Sequence, residues 1–303
     1  MPQQRSLSAQ ARTGFFYLQS NGQRSAGLKS GKGGPAGMIE VGPFILAAER
    51  LAAILLIGAF LGFASIVGRR SGAPAGDLAW AAILAGVIAA RLTYVAIHHK
   101  AFLPEPWTIL AVWQGGFTPW AGVLAGIAFI LIARKGSRPA IVLAGGAAFL
   151  FLVYMITGNV LERRQQVPFP SGMRVETLNG SEVDLSTLNG QPFVINLWAS
   201  WCGPCRREMP MLIDVAASAS VPVLMINQGE TAEQATRFLE REDLPADMIL
   251  LDPDQRLAAG LGSRALPITV FVDARGNIRK RHVGEISRAA LLEGVERIEQ
   301  ATE

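Results

Sequence analysis

The stretch Trp201-Cys202-Gly203-Pro204-Cys205 holds the only two cysteines of the 303-residue chain, so all of its thiol chemistry must occur there. The apolar run Phe193–Trp198 before it predicts a buried strand, and Arg206–Ile213 after it predicts a helix. A strand-to-helix junction is the context in which the weak motif Cys-x-x-Cys supports a redox role. The helix N-terminus stabilises a thiolate at Cys202, and Cys205 lies one turn later, within reach of a disulfide. The sequence therefore predicts a dithiol switch.

The same two cysteines could form half of a zinc site. Zinc takes four ligands, and the chain offers no further cysteine and only three histidines, His98, His99 and His282. A Cys-x-x-Cys-His motif is absent from the sequence, which excludes covalent haem attachment to this chain. We therefore expect no metal and no cofactor, with a Cys202–Cys205 disulfide as the redox group.

Residues 193–210 resemble the active-site region of the thioredoxin superfamily. Their form, Trp-Cys-x-Pro-Cys-x-x-Glu-x-Pro preceded by Asn-x-Trp-Ala, is most similar to the TlpA/ResA-type thiol–disulfide oxidoreductases. A later stretch, Ala265–Asp273, resembles the cis-proline loop of this family and the strand after it. The resemblance spans about residues 168–303 and implies an α/β domain with a thioredoxin fold.

The resemblance also implies roles for single residues. Cys202 would be the attacking nucleophile and Cys205 the resolving thiol, with Pro267 in a cis peptide bond against the disulfide. Glu208 matches an acidic residue that this subfamily places beside the dithiol to tune its proton affinity, although a solvated first-turn carboxylate is the alternative. Asn196 stands where cytosolic thioredoxins carry a buried Asp, and it is equally well explained as a core amide.

Trp201, beside the dithiol, is expected to serve partly in packing and partly as a platform for substrate. The two residues between the cysteines indicate the direction of the reaction. The Gly203-Pro204 pair resembles that of reducing thioredoxins, whose potential is about −270 mV against about −120 mV for a strong oxidant of this fold. We expect a disulfide reductase of protein substrates, with a thiol oxidase or isomerase as the alternative. The resemblance implies a role in the maturation of cytochromes or of metal sites.

Local patterns predict the remaining elements of this domain. Asn179-Gly180 is a strong turn signal and predicts a hairpin of Arg174–Leu178 with Glu182–Leu185. Thr231 and Ser287 are expected to cap helices. The other predicted strands are Pro222–Asn227, Met248–Leu251, Pro267–Val272 and Ile278–Val283, and the predicted helices are Thr231–Arg241, Pro253–Leu261 and Ser287–Gln300.

The first half of the chain has the composition of a membrane protein. Hydrophobic residues make up 50% of the sequence and its mean hydropathy is +0.31. We expect an α-helical polytopic membrane domain over 38–160, with an interfacial or re-entrant segment at Pro104–Gly116. A polar linker over 161–172 and the thioredoxin-like domain over 173–303 follow. The predicted spans are about 51–68, 78–97, 117–133 and 139–157.

Basic residues predict the orientation. Arg69-Arg70 follows the first span and Arg134–Arg138 follows the third, and positive loops remain in the cytoplasm. The catalytic domain is therefore expected on the periplasmic side of a bacterial inner membrane, an oxidising compartment. Residues 1–37 carry basic but no acidic residues, which opposes their export. We expect translation to begin at Met38, or otherwise residues 1–37 to be disordered.

Charge and cysteine usage predict the partners. Residues 1–201 contain no cysteine, so the membrane domain cannot relay electrons to Cys202 by disulfide exchange, and a separate membrane thiol donor is expected. The net charge is +4, with basic residues at the membrane boundaries, which indicates contact with anionic lipids and not with nucleic acid. Arg91, inside the second span, could snorkel to the headgroups or bind a lipid phosphate.

The membrane half carries a second resemblance. Val87–Tyr94 and Trp113–Gly122 are similar to segments of the prolipoprotein diacylglyceryl transferases, over about the first half of that family's membrane body. Trp120 stands in the place of that family's histidine, and its later Gly-Arg-x-Gly-Asn-Phe segment has no counterpart. The resemblance implies a truncated, degenerate scaffold that binds lipid or a partner, with lipid-modifying transferase activity as the alternative.

Overall fold

Helices dominate the first half of the chain and a sheet the second in the computed structural model, which describes residues 38–41, 44–72, 74–164, 167–263 and 265–301. Side chains are described over 51–72, 74–158, 167–263 and 265–301. The extension predicted over 1–37 lies outside the described residues. The chain divides into two compact units, one that ends at Arg164 and one that follows it.

The described residues of the first unit form helices and one hairpin. Strands β1 (Met38–Val41) and β2 (Phe44–Ala47) pair antiparallel and lead into the first helix. The helices are α1 (Ala48–Ser71), α2 (Ala75–Ile97), α3 (His99–Phe102), α4 (Pro119–Ala133) and α5 (Arg138–Arg164), with 3-10 turns at Pro106–Leu110 and Val112–Gln114.

Three stretches of this unit are long and apolar enough to cross a membrane. They are Leu51–Ser71, Ala75–Ile97 and Arg138–Gly158. The predicted span 117–133 corresponds to α4, which has only 15 residues. At its rise per residue, α4 reaches about 22 Å, which is short of a hydrocarbon core of about 30 Å. The described residues thus contain three long apolar helices and a shorter fourth.

Small residues allow α2 and α4 to approach closely. A Cβ atom added to Gly86 would lie 2.8 Å from the backbone oxygen of Gly122, and one added to Gly122 would lie 2.9 Å from the oxygen of Gly86. Helix pairs in membranes use such small residues because their association depends on close packing and not on the hydrophobic effect. A larger side chain at either glycine would force the two helices apart.

One eight-stranded sheet, in the order β3-β10-β9-β6-β7-β8-β4-β5, organises the second unit. Strand β6 pairs parallel with β7, and β7 with β8, while the other neighbours are antiparallel. This arrangement confirms the predicted α/β thioredoxin-like domain. Its strands are β3 (Val167–Pro168), β4 (Arg174–Thr177), β5 (Glu182–Asp184), β6 (Phe193–Trp198), β7 (Val223–Gln228), β8 (Ile249–Asp252), β9 (Ile268–Val272) and β10 (Asn277–Val283). Its helices are α6 (Gly203–Ala216), α7 (Ala232–Arg241), α8 (Arg256–Gly260) and α9 (Arg288–Gln300).

Strand β6 lies in the middle of the core. All of its residues are buried, as an uninterrupted apolar run predicts for a strand that is covered on both faces. The helix α9 packs so tightly on this sheet that a Cβ atom added to Gly294 would overlap the ring of Phe271 in β9. The core therefore fixes the end of β6, from which the Cys-x-x-Cys stretch departs.

The linker is shorter than the sequence predicts. Helix α5 continues to Arg164, and Val167–Pro168 already belongs to the sheet, paired with Ile278 and Asn277 of β10. The segment assigned to a linker over 161–172 therefore consists in part of helix and strand. The reason is that the polar residues after Thr157 are compatible with a helix, and that the open edge of β10 accepts a partner strand.

The short helix α8 also begins later than predicted. Gln255 has a left-handed backbone with φ of 55°, which interrupts the helix predicted from Pro253. The carboxylate of Asp252 accepts hydrogen bonds from the backbone N–H groups of Arg256 and Leu257 at 3.0 and 2.8 Å. This capping by Asp252 sets the start of α8 at Arg256.

Candidate active site

Cys202 and Cys205 form a disulfide at the start of α6. Cys202 is the N-cap of the helix, and the backbone N–H of Cys205 donates to Cys202 Sγ at 3.3 Å. Pro204 occupies the first helical turn, where its fixed φ favours the helix and its missing N–H is not needed. The structure is therefore the oxidised form of a dithiol whose first sulfur already accepts a hydrogen bond from the helix N-terminus.

The two cysteines are buried beside an exposed tryptophan. Cys202 is 6% exposed and Cys205 is fully buried, whereas the neighbouring Trp201 is 71% exposed. An aromatic ring that is held in solvent beside a buried nucleophile is available for contact with a substrate. A Cβ atom added to Gly203 would meet only the Arg207 guanidinium, at 3.7 Å, so the space at this position does not require glycine.

Glu208 lies one turn after Cys205 on α6, and it is 3% exposed. Its Oε1 accepts a hydrogen bond from Asn196 Nδ2 at 2.8 Å, and its Oε2 accepts one from the backbone N–H of Ile286 at 2.8 Å. Burial raises the pKa of Glu208 to about 8, since the loss of hydration outweighs the two hydrogen bonds that favour the ionised form. The solvated first-turn carboxylate considered from the sequence is therefore wrong for this residue.

Asn196 connects Glu208 to the sheet. It is fully buried on β6, and its Nδ2 donates to Thr269 Oγ1 at 3.1 Å as well as to Glu208. Thr269 is its partner in the β6–β9 register. Asn196 is thus both a core amide and a donor to the buried carboxyl group, so the two interpretations of this residue are compatible.

The Leu266–Pro267 peptide bond is cis, as the resemblance implied. Pro267 directly precedes β9, which is paired antiparallel with β6, the strand that leads to Cys202. The carbonyl oxygen of Pro267 accepts a hydrogen bond from the backbone N–H of Gly284 at 2.9 Å. The topology therefore brings the proline loop to the same end of the sheet as the dithiol.

Sequence reasoning missed Glu230, which holds the loop before the dithiol. Glu230 is 6% exposed, and its carboxylate accepts hydrogen bonds from the backbone N–H of Ser200 at 2.7 Å and from the Ser200 hydroxyl group. Asn227 Nδ2 donates to the same carboxylate at 2.6 Å. The register of the parallel strands places Trp198 beside Asn227, so the loops that follow β6 and β7 leave the sheet at the same end. A glutamate two residues after a core strand was the feature of the sequence that could have pointed to this role.

Sequence reasoning also missed the pair of Arg207 and Glu285. Arg207 donates through Nε and Nη2 to Glu285 Oε2, at 2.9 and 2.6 Å. The Glu285 side chain is only 4% exposed. The two residues are 78 positions apart, so no local pattern predicts their contact.

Arg91 is buried in the first unit, with 6% exposure. Its guanidinium donates to four backbone oxygens of the turns between α3 and α4, and the rings of Phe102 and Phe117 lie 5.5 and 5.7 Å from its Cζ. The four distances are 2.7 Å to Thr108, 3.0 Å to Ile109, 2.6 Å to Gly115 and 2.8 Å to Gly116. The prediction that Arg91 snorkels to the headgroups is therefore wrong. Its guanidinium is bound by the irregular backbone and is not exposed for the predicted contact with lipid.

Metal ligands are not grouped in the part of the chain that the structure describes. No three His, Cys, Asp or Glu side chains come together there in a way that could hold a metal ion. Of the three histidines, His98 bonds to the backbone of Tyr94, His99 to that of Ala96 and His282 to that of Glu285. The site that the structure assembles is the disulfide with its buried carboxyl group.

Comparison with known proteins places each half of the chain. The Redoxin family profile matches residues 165–296, and the prolipoprotein diacylglyceryl transferase profile matches residues 45–161. Both resemblances stated from the sequence are thereby confirmed.

Curated relatives and a solved structure match the second half. The thiol:disulfide interchange protein DsbE of Pseudomonas fluorescens biotype C is 32% identical over 142 residues, which are 46% of this chain and 79% of that protein. The thiol-disulfide oxidoreductase ResA of Geobacillus thermodenitrificans is 32% identical over 124 residues, 40% of this chain and 71% of that protein. A structure of MTB DsbF in mixed oxidised and reduced forms is 28% identical, with a TM-score of 0.41, over 44% of this chain and 98% of that chain.

Proposed function

The chain belongs to the family of thiol:disulfide interchange proteins that includes DsbE and ResA, and from that premise we propose that it is a membrane-anchored reductase of protein disulfides. It is a thiol–disulfide oxidoreductase, and the reducing direction is our proposal. The observation that carries it is the Cys202–Cys205 disulfide at a helix N-terminus, with Glu208 buried one turn beyond.

The reaction begins from the reduced dithiol. The Cys202 thiolate attacks one sulfur of a substrate disulfide, so that a mixed disulfide forms and the other substrate sulfur leaves as a thiolate. The Cys205 thiolate then attacks Cys202 Sγ and releases the substrate. Two electrons and two protons pass to the substrate, which leaves as a dithiol, and the Cys202–Cys205 disulfide of the structure is the product.

Two groups support the thiolates in this scheme. The Cys205 N–H, which donates to Cys202 Sγ at 3.3 Å, favours negative charge on the nucleophile. Glu208, with its pKa raised to about 8 by burial, holds a proton at neutral pH and releases it in the mildly alkaline range. We assign to Glu208 the exchange of a proton with the dithiol during resolution, and to Trp201 contact with the substrate chain.

The sequence supports our proposals for the electron donor and the orientation. The chain has no cysteine besides the active-site pair, so we propose that a separate membrane thiol protein reduces the disulfide. The basic loops after the first and third apolar segments favour a periplasmic catalytic unit. Labelling of a reduced Cys202 in intact cells by a membrane-impermeant maleimide supports this orientation, and labelling only after lysis contradicts it.

The substrates that we propose are the disulfides of apocytochromes before haem ligation, or of proteins that assemble a metal site. This proposal rests on the relatives and on the outward orientation of the catalytic unit. Loss of haem-containing cytochrome c in a deletion strain, restored by the intact gene but not by Cys202→Ser, supports it. Normal cytochrome c in that strain rules out the first substrate class.

Residues 45–161 match the diacylglyceryl transferases. We propose that this half of the chain shares the scaffold of that family and not its chemistry. Trp120, in the place of that family's histidine, has an exposed indole that cannot act as a general base. We therefore propose that the membrane unit anchors the enzyme and binds lipid or a partner protein.

The first experiment is the reduction potential of the full-length protein in detergent, equilibrated in dithiothreitol and glutathione buffers and read by thiol trapping. A reductase that needs an upstream donor should have a potential below about −200 mV. A potential near about −120 mV would reverse the proposed direction and indicate an oxidant of folding proteins.

A further inference from the structure

Two adjacent arginines on α6 follow Cys205, and their partners differ in burial. Arg206 donates to Glu242 Oε1 at 2.9 Å, and both side chains are exposed, by 47% and 36%. Arg207 donates to Glu285, whose side chain is only 4% exposed. An exposed ion pair contributes little to stability, whereas a buried carboxylate that loses its cation is strongly unfavourable. The Arg207–Glu285 pair is therefore the more consequential of the two.

Glu285 lies in a segment, 284–286, that contacts two parts of the active site. The backbone N–H of Gly284 donates to the carbonyl oxygen of Pro267 at 2.9 Å. The backbone N–H of Ile286 donates to Glu208 Oε2 at 2.8 Å. Glu285 is between these two hydrogen bonds, and Arg207 adjoins Glu208 in the sequence. The ion pair therefore ties segment 284–286 to the helix that carries the dithiol.

We propose that Arg207 and Glu285 are positioning residues that hold segment 284–286 against Glu208 and balance the charge around its carboxyl group. The inference rests on the proposed function, in which Glu208 exchanges a proton with the dithiol. Arg207 and Glu285 would act on the reaction through Glu208, and neither residue reacts with substrate.

The groups around Glu208 define what a test must consider. The charged groups that act on it are Arg207 from α6 and Glu285 from segment 284–286. The dithiol, with Cys202 as the N-cap of α6 and Cys205 one turn before Glu208, adds two thiols to this end of the helix when it is reduced. His282 of β10 reaches the backbone oxygen of Glu285 through Nε2 at 3.1 Å. Asn196 of β6 and Thr269 of β9 are uncharged.

Arg207 and Glu285 act on Glu208 in opposite directions. The negative charge of Glu285 disfavours a second carboxylate nearby, and the positive charge of Arg207 favours it. Removal of Arg207 should therefore move the titration of Glu208 to higher pH. Neutralisation of Glu285 should move it to lower pH. Loosening of segment 284–286 alone would remove the Ile286 hydrogen bond and move the titration to higher pH in both variants, so displacements in opposite directions identify the effect of charge.

The experiment compares Arg207→Gln with Arg206→Gln, which makes the same charge change one position away. The full-length protein in detergent is reduced, and its rate of alkylation by iodoacetamide is measured between pH 5 and pH 10. We expect Arg207→Gln to raise the inflection that belongs to Glu208 by roughly one pH unit, and Arg206→Gln to leave it in place. Glu285→Gln should lower it, while Glu242→Gln should not.

Equal profiles for the two arginine variants would overturn the inference. Circular dichroism checks that each variant is folded. If Arg207→Gln does not fold, the nearly isosteric Glu285→Gln decides, since a downward displacement supports the inference and an unchanged inflection overturns it. An inflection that is present in the wild type and survives in Glu208→Gln instead refutes the proton role of Glu208 and with it this inference, whereas the proposed reductase activity is tested separately by the reduction potential.

Discussion

Arg91 in the membrane unit and Glu208 in the thioredoxin-like unit are both buried ionisable groups, and they differ in how fully they are bonded. The guanidinium of Arg91 donates to four backbone oxygens, whereas the carboxyl group of Glu208 accepts two hydrogen bonds. The first group is fixed to the backbone at four points. The second is left with a pKa of about 8, which burial raises. The comparison distinguishes a buried ionisable group that stabilises a fold from a buried ionisable group that can exchange a proton.

The largest effect on stability is expected for Arg91→Leu. The substitution leaves four backbone carbonyl oxygens, one buried and three partly buried, without their donor, and we expect a loss of about 3–5 kcal/mol in the free energy of unfolding. Thermal unfolding in detergent and proteolysis between residues 106 and 116 would measure it. Arg70→Leu, at the exposed end of α1, is the matched control. A similar melting temperature for both variants would refute the structural role of Arg91.

Glu208 should make stability depend on pH. Because its pKa is raised from about 4.5 to about 8 in the folded state, its contribution is complete below about pH 4.5 and is lost as the pH rises through about 8. We expect the free energy of unfolding to fall by up to about 4 kcal/mol more in the wild type than in Glu208→Gln between pH 5 and pH 9. Urea unfolding at both pH values measures this difference, and parallel curves would contradict it.

The same substitution should reduce catalysis. At pH 7, we expect Glu208→Gln to reduce protein disulfides roughly 10- to 100-fold more slowly, because the dithiol loses its proton carrier. Turnover of an insulin disulfide with a dithiothreitol supply would be the assay. Glu233→Gln, on an exposed face of α7, provides the control for the charge change. Wild-type turnover in Glu208→Gln would place this carboxyl group with Arg91, as a purely structural group.

Glu230 lies between the two extremes of the comparison. It accepts three hydrogen bonds, and two of them fix Ser200 in the loop before the dithiol. We expect Glu230→Gln to lower the free energy of unfolding by about 1–2 kcal/mol, since at least one donor loses its acceptor. The alkylation rate of reduced Cys202 should change as its loop loosens. A change in stability with unaltered Cys202 reactivity would confine Glu230 to the fold.

The smallest effect on stability is expected at an exposed residue. Trp201→Ala should change the free energy of unfolding by no more than about 0.5 kcal/mol, because the side chain makes few buried contacts. We expect the KM for a protein disulfide to rise while the rate with a small disulfide, such as oxidised glutathione, is unchanged. An equal loss with both substrates would indicate that Trp201 positions Cys202 and does not bind substrate.

Local features of this chain were predictable because they depend on neighbours in the sequence. Thr231 and Ser287 cap α7 and α9 as their side chains predict, and the Asn179-Gly180 turn connects β4 with β5. The dithiol at a helix N-terminus follows from its motif, and the cis bond at Pro267 was implied by the family resemblance. In each case the relevant atoms lie within a few residues of the pattern.

The supporting groups of the site were not predictable because their partners are distant. Glu285 is 78 residues from Arg207, and Glu230 is 30 residues from Ser200. Their contacts depend on which strands become neighbours, and single-residue patterns carry little information about that. Arg91 is a similar case, since an arginine in an apolar run indicates a special environment but does not identify the carbonyl groups that surround it.

The two outer strands of the sheet are its shortest, which has a consequence for self-association. Strand β3 has two residues and β5 has three, so within the described residues neither edge offers a long row of free N–H and C=O groups to another molecule. Anchoring to a membrane confines copies of a protein to a surface and raises their local concentration. Short edges protect such a crowded population from strand-to-strand aggregation.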